Sequence, residues 1–168
     1  MSEAPSATDA PGPQALAGFE AQRAAALGMA GSVRTALEGL LAPVDLRIYA
    51  HLEFADTVRA RIRQHRRLRV RLLVPEGLTR QPRGGPLWRL LQDLPSFTAL
   101  RVLHEPLPDG EPVWLIADRA QVLYRRYPAS ANGEYDAADP RRVRTLRERF
   151  EALWTQALPD VELRRLAL

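Results

Sequence analysis

Hydrophobic and polar positions near the N-terminus predict two helices followed by a strand. Residues 14–30 are rich in alanine, which favours a helix. In the next segment Ser32 is placed to cap a helix whose apolar positions recur at helical spacing: Val33, Ala36, Leu37, Leu40 and Leu41. The apolar run VDLRIYA at residues 44–50 then predicts a buried strand.

The central part of the chain repeats this order of helix and strand. Phe54, Val58 and Ile62 fall on one helical stripe. Apolar and polar side chains then alternate up to Pro75, which is typical of a strand that ends at a proline. The pattern therefore predicts four elements: a helix at 54–65, a strand at 68–75, and, beyond a Gly- and Pro-rich loop, a helix at 87–94 and a strand at 99–106.

A hairpin and a long helix complete the chain. Two apolar runs, 112–117 and 121–127, meet at the polar pair Asp118-Arg119, which predicts antiparallel strands joined by a tight turn. After a loop, Asp139 is placed to cap the last helix, and its broad apolar face is formed by Val143, Leu146, Phe150, Leu153, Trp154 and Ala157. The C-terminal segment is predicted to add a short strand or to pack as a coil.

Strands separated by helices of about a dozen residues indicate βαβ units. We therefore predict an α/β fold with a mixed, mainly parallel sheet and helices on both faces. The length of 168 residues fits one domain, which we assign to residues 14–168. Residues 1–13 are rich in Pro, Ala and Ser and are predicted to form a disordered tail.

Composition excludes several classes of chemistry. The chain has no cysteine, so thiolate nucleophiles and Cys-ligated metals are absent. All 24 of its basic residues are arginine, so it can build neither a Schiff base nor a P-loop lysine. It has no apolar run of the ~20 residues that a membrane helix needs, and its N-terminus does not resemble a signal peptide. We expect a cytoplasmic protein with no cofactor, no metal and no membrane contact.

The arginines are concentrated in one stretch of the chain. Residues 59–89 contain ten arginines and a single acid, Glu76, a local charge of +9. Such a stretch is either a solvated face or an anion-binding surface, and the candidate binding residues are Arg59, Arg63, Arg66, Arg67, Arg69 and Arg71. An acidic protein or another polyanion would suit this charge. A nucleic-acid partner is less favoured, because aromatic interleaving and a base-reading motif are absent.

The order of elements resembles one half of a phospholipase D-like domain: LRIYA, helix, LRVRLLVP, Gly-Pro loop, helix, LRVLHEP, VWLIAD, QVLYRR and the closing helix RERFEALW. In that superfamily the strand before the acidic turn carries His-x-Lys-x4-Asp. Only the aspartate, Asp118, is kept here; Glu111 stands at the His position and Val113 at the Lys position. The chain also resembles an uncharacterised bacterial family of such degenerate domains, some of them fused to GNAT-type acetyltransferases.

The resemblance implies a pseudoenzyme. In the intact superfamily a histidine attacks phosphorus and lysines hold the oxyanions, whereas Glu111 would repel a phosphate and Val113 carries no charge. Asp118 is then a turn or hydrogen-bonding residue. We therefore predict a non-catalytic scaffold or binding module. Half-length domains of the superfamily pair to build one site, so the resemblance also implies a homodimer.

A residual hydrolase is the alternative. His51 follows the first predicted strand and His104 lies near the end of the third, and ligands of open α/β sheets bind beyond the carboxyl ends of parallel strands. With Glu53 and Glu105 beside them, these histidines would form an acid–base or metal pair at one edge. The competing interpretation is that they are unrelated polar residues in loops, because no metal-ligand spacing is present.

Overall fold

A computed structural model of the protein describes residues 12–79 and 84–165. Its strands are β1 (Gln14–Leu16), β2 (Ala36–Leu40), β3 (Arg69–Pro75), β4 (Thr98–Leu103), β5 (Val113–Ala117), β6 (Gln121–Arg125), β7 (Gly133–Asp136) and β8 (Leu158–Pro159). Its α-helices are α1 (Gly18–Ser32), α2 (Leu46–Tyr49), α3 (Leu52–Gln64), α4 (Glu76–Thr79), α5 (Pro86–Asp93), α6 (Pro140–Gln156) and α7 (Val161–Arg165), and a 3-10 turn at Pro43–Asp45 precedes α2.

All eight of these strands belong to one open sheet, in the order β1-β7-β6-β5-β2-β3-β4-β8. Among the described strands, only β2 with β3 and β3 with β4 are parallel. The other five pairings in the described part of the chain are antiparallel. The α/β class and the mixed sheet are thus confirmed, but the expectation of a mainly parallel sheet is wrong. The short edge strands β1 and β8, and β7, join as antiparallel neighbours.

Helices cover both faces of the sheet, as predicted. On one face α1, α2, α3 and α5 pack over a large apolar core that includes Met29, Ile62 and Leu72. On the other face α6 packs over a second core that includes Trp114 and Phe150. The cap predicted for α6 is present.

That cap satisfies an N–H at the start of α6. The side chain of Asp139 accepts a hydrogen bond from the Arg142 N–H at 2.9 Å, and Pro140 occupies the first turn. The helix therefore begins where the sequence places it, and it runs across the sheet from the turn between β5 and β6. From this position α6 supplies Arg147 to Glu38 and Arg149 to Glu111.

Between residues 33 and 50 the predicted order of helix and strand is wrong. Its first half is the central strand β2 rather than a helix, and residues 43–49 are helical rather than a strand. Residues 37–40 are buried between the two layers of helices, and the apolar positions Leu37, Leu40 and Leu41 recur at a spacing that also fits a helix, so periodicity does not distinguish this strand from a buried helix. Pro43 starts the helical turn that follows.

Most other boundaries lie within a few residues of their predicted positions. Strand β7 and helix α4, however, fall in segments predicted to be loops, and β1 occupies the start of the segment predicted to be the first helix. Of the predicted disordered tail, residues 1–11 lie outside the described residues. Within residues 12–79 and 84–165, none of the helices has the length and apolar character needed to cross a bilayer.

Candidate functional site

The first candidate site lies at the end of the sheet where β5 begins. It contains the positions of the phospholipase D-like motif. Glu111 precedes β5 and forms a bidentate ion pair with Arg149 of α6, with Nε–Oε1 at 2.8 Å and Nη2–Oε2 at 2.9 Å. The Glu111 side chain is only 13% exposed. Val113 is buried in the core under α6. The carboxylate at the His position is therefore neutralised by an arginine from the same chain.

The sequence pattern does not indicate that Glu111 pairs with Arg149. The two residues lie 38 positions apart, and the periodicity of α6 indicates only which side chains face the core. A bidentate pair of this kind fixes both side chains more firmly than a single contact would. Glu111 is consequently held in place rather than left to face an incoming anion.

Asp118 lies at the opposite end of β5 and organises the turn there. Its carboxylate accepts hydrogen bonds from the N–H groups of Arg34, Thr35 and Ala36 and from the Thr35 hydroxyl, at 2.8–3.2 Å. Its backbone φ of +53° is a left-handed conformation, which aspartate tolerates better than most residues. Asp118 thereby ties the turn after β5 to the residues that start β2.

The same contacts change the acidity of Asp118. Partial burial raises the pKa of the carboxyl, but the hydrogen bonds from Thr35, Ala36 and Arg34 stabilise the anion and together lower the pKa below its ordinary value. The group is therefore ionised throughout the physiological pH range. Its contacts are those of a structural clamp on the backbone.

A second carboxylate, Glu38, anchors α6 to the centre of the sheet. It is buried in β2 and accepts hydrogen bonds from Arg71 Nε at 3.2 Å and from Arg147 Nε at 2.7 Å. Arg71 also pairs with Glu151 of α6, and Arg147 donates to the Asp118 carbonyl at 2.6 Å. Arg71, a predicted anion-binding residue, is thus already engaged by two carboxylates under α6.

A buried polar cluster holds the loop between β6 and β7. Arg125 Nη2 lies 2.6 Å from Asp45 Oδ1, and both side chains are 3% exposed. Arg125 also donates to Gln22 Oε1 at 3.1 Å and to the Pro128 carbonyl at 3.0 Å, while Gln22 donates to the Ala131 carbonyl at 2.5 Å. Burial raises the pKa of Asp45 and the Arg125 charge opposes that rise.

A side chain would be crowded where this loop enters β7. A Cβ at Gly133 would lie 3.0 Å from the Tyr124 carbonyl oxygen and 3.1 Å from the Gln22 side chain. The sequence carried one signal for the buried cluster, an arginine at an inward position of the apolar run QVLYR. It did not indicate the partners, which come from α1 and from the 3-10 turn.

The predicted arginine cluster divides into engaged and exposed members. Arg59 pairs with Asp93 at 3.0 Å, and Arg71 lies under α6. The exposed members lie between the end of α3 and the start of β3, and we call them the arginine rim: Arg63, Arg66, Arg67 and Arg69. The guanidinium groups of Arg66 and Arg69 lie over the Phe97 ring, at 4.4 and 5.1 Å from its centroid.

Among the described residues, the two histidines of the alternative site belong to separate sets of contacts. His51 follows helix α2 rather than a strand, and its Nε2 lies 2.7 Å from the Arg47 carbonyl. Glu53 pairs with Arg23 of α1 at 3.3 Å. His104 follows β4 and lies 4.0 Å from Glu76, with both side chains about half exposed; Glu105, beside it, is exposed. Among the described residues, no group of three or more His, Asp or Glu side chains could hold a metal ion.

Comparison with known proteins places this fold. Among solved structures, Nuc from Salmonella typhimurium, a phospholipase D family member, matches with a TM-score of 0.63 and 14% identity over 88% of this chain and 98% of that chain. NucT from Helicobacter pylori matches with a TM-score of 0.63 and 10% identity over the same shares. These likenesses establish a phospholipase D-like fold.

A third similar structure is TrmBL2, described as an archaeal chromatin protein with a novel mode of DNA binding. The match has a TM-score of 0.66 and 15% identity, and covers 90% of this chain but 55% of TrmBL2, so the chain spans about half of that protein's length. No curated protein sequence matches. Residues 19–166 match the model of a sequence family. The chain therefore belongs to the family described as a domain of unknown function, DUF7931.

Proposed function

We propose that this chain is a non-catalytic phospholipase D-like domain that binds an anionic partner through the arginine rim. The observation that carries the proposal is the state of the rim itself. All four of its arginines are exposed, and none of them has a carboxylate partner among the described residues. Such unneutralised charges attract polyanions and raise association rates.

The arginines that are paired with acids provide a comparison with the rim. Two arginines of the same basic stretch are neutralised by an acid, Arg59 by Asp93 and Arg71 by Glu38. The rim differs, because Arg66 and Arg69 lie over the Phe97 ring and Arg69 donates to backbone carbonyls, and neither contact neutralises a charge. Phosphate, carboxylate and sulfate groups all fit the planar guanidinium fork.

The absence of catalysis is the second half of the proposal. Phosphodiester cleavage by this fold needs a nucleophile at the position of Glu111, and that carboxylate is held by Arg149. A residual hydrolase built on His51 and His104 remains the competing proposal. It is weakened because His51 approaches a backbone carbonyl and His104 approaches Glu76, in two separate sets of contacts.

We expect purified protein to show no turnover of a generic phosphodiester such as bis(p-nitrophenyl) phosphate. The physical reason is that no nucleophile and no leaving-group acid stand at the motif positions. Glu111→Gln and His104→Ala variants serve as controls, because each removes one of the remaining titratable groups at the strand ends. Turnover that copurifies with the protein and is lost in either variant would contradict the proposal.

Binding through the rim should depend steeply on salt. Labelled polyphosphate, poly-L-glutamate and oligo-dT, titrated by fluorescence anisotropy, should include at least one probe that binds at low ionic strength. Replacing Arg63, Arg66 and Arg67 with glutamine should weaken that binding and flatten its salt dependence, by about 2 in the logarithmic slope if the probe is a single strand.

Three control variants test whether binding depends on the rim. Arg89→Gln/Arg126→Gln removes two exposed arginines outside the rim, and His51→Ala and His104→Ala remove the residues of the alternative site. All three variants should bind as the unmodified protein does. If none of the probes binds at low salt, the rim is a solvated face and the proposed function is wrong.

A further inference from the structure

The arginine rim lies at one end of the sheet, and other elements meet it there. Strands β2 and β3 run parallel and start side by side, with Ala36 opposite Arg69. Strand β5 runs antiparallel to β2 and ends beside it, where the Asp118 N–H donates to the Ala36 carbonyl at 2.8 Å. Helix α6 starts at the same end, since the Asp139 N–H donates to the Ala120 carbonyl at 2.9 Å.

Three more exposed arginines stand at this end. Arg34 precedes β2, Arg119 lies in the turn between β5 and β6, and Arg144 lies on the first turns of α6. No ion pair engages these three within residues 12–79 and 84–165. Together with the rim they form what we call the basic strip: Arg34, Arg63, Arg66, Arg67, Arg69, Arg119 and Arg144.

The strip continues into an open cavity of about 750 Å³ beside α6. Arg119, Arg144 and Arg147 line it, together with Pro140 and Val143. Two carboxylates also line it, Glu148 and Glu151, and Glu151 is held by Arg71. Arg119 also lines a shallower depression with Arg34 and Asp118. Asp118 directs its charge at backbone N–H groups, so it offsets the strip only in part.

We propose that the basic strip binds the phosphodiester backbone of a nucleic-acid strand, which runs across the starts of β2 and β3 and into the cavity beside α6. This inference rests on the proposed function and names its partner. The strip lies at the opposite end of β5 from Glu111, so the strand avoids the degenerate motif. It is held by its phosphates without base readout.

The dimensions suit a linear polyanion. Neighbouring strands lie about 4.8 Å apart, so the distance from the turn after β5 to the start of β3 is on the order of 10 Å, and the rim extends it further. Nucleic acid carries one charge per ~3.4 Å along each strand. Several consecutive phosphates can therefore contact successive arginines, whereas a single small anion would use only one or two.

An acidic protein fits this surface less well. Protein interfaces are built around an apolar, often aromatic centre with charges at the rim. The large exposed apolar residues of the described chain are Leu52, Tyr127, Leu158 and Val161, and none of them belongs to the strip or to the cavity beside α6. A surface made of arginines without a large exposed apolar side chain is typical of backbone-phosphate binding.

The test uses the cavity arm of the strip, which the rim variants leave untouched. The whole protein is titrated with fluorescein-labelled oligo-dT and with poly-L-glutamate across a range of salt concentrations. We expect Arg119→Gln/Arg144→Gln to bind oligo-dT more weakly and with a logarithmic salt slope smaller by about 1.4, at 0.7 per phosphate contact on a single strand. The matched pair Arg89→Gln/Arg126→Gln, with the same loss of charge, should leave the slope unchanged.

The outcomes separate this inference from the proposed function. If poly-L-glutamate binds through the rim and oligo-dT does not, the nucleic-acid inference is wrong and the proposed function stands. If oligo-dT binds but the cavity pair behaves like the control pair, the strand does not follow the strip and the inference again fails. If neither probe nor polyphosphate binds at low salt, both fail together.

Discussion

Replacing Phe150 with alanine should lower the free energy of unfolding by about 3–5 kcal/mol. The side chain is fully buried between α6 and the sheet, so truncation removes apolar contacts and leaves a cavity. Its ring stacks on Trp154 at 5.4 Å between centroids, and the Arg71 guanidinium lies 5.0 Å from its centroid. Chemical denaturation followed by circular dichroism measures the loss.

Trp154 provides the internal comparison. It stacks on Phe150 but is only partly buried, with Arg101 4.6 Å from its ring centroid. Its replacement by alanine should therefore cost roughly half as much as that of Phe150, because part of its surface already faces solvent. A cost below about 0.5 kcal/mol for Phe150→Ala would place this face of α6 in solvent and contradict the two-core arrangement.

Asp45→Asn should also destabilise the protein by about 3–5 kcal/mol. The amide keeps an oxygen to accept the Ala42 N–H, whose nitrogen lies 2.6 Å from the carboxylate, but its NH2 group then faces Arg125, so the change removes both the negative charge and the acceptor for the guanidinium. It leaves the guanidinium of Arg125, 3% exposed, without its counter-ion. An uncompensated buried charge is far more costly than the loss of an exposed ion pair. Urea denaturation gives the difference in unfolding free energy.

Two further variants test the reason for that loss. Glu53→Gln breaks the ion pair with Arg23. The Glu53 side chain is 69% exposed, so the change should lower the free energy of unfolding by less than about 1 kcal/mol. Asp45→Asn/Arg125→Met removes the stranded charge as well and should recover part of the stability. If Asp45→Asn were no more destabilising than Glu53→Gln, Arg125 would not depend on Asp45, and the cluster would not anchor the loop between β6 and β7.

The candidate sites were only partly accessible from the sequence. The basic stretch and the missing motif are visible in the order of residues, because they depend on residue type and local spacing. The division of the arginines into engaged and exposed members is not, since Arg71 meets Glu38 and Glu151 across 33 and 80 positions. Arg34, Arg119 and Arg144 lie at the same end of the sheet. This follows only from the strand order and from the position of α6.

For the fold, the sequence by itself determined the helices α1, α3, α5 and α6, the strands β3 and β4, and the hairpin of β5 and β6. These elements are amphipathic, capped or bounded by turn residues, so local signals suffice. The tertiary structure decided the rest. Strand β2 is central and buried on both faces, so its pattern lacks a period that distinguishes strand from helix. The antiparallel edges β1, β7 and β8 are short, and their pairing is set by the backbone hydrogen bonds that neighbouring strands leave open.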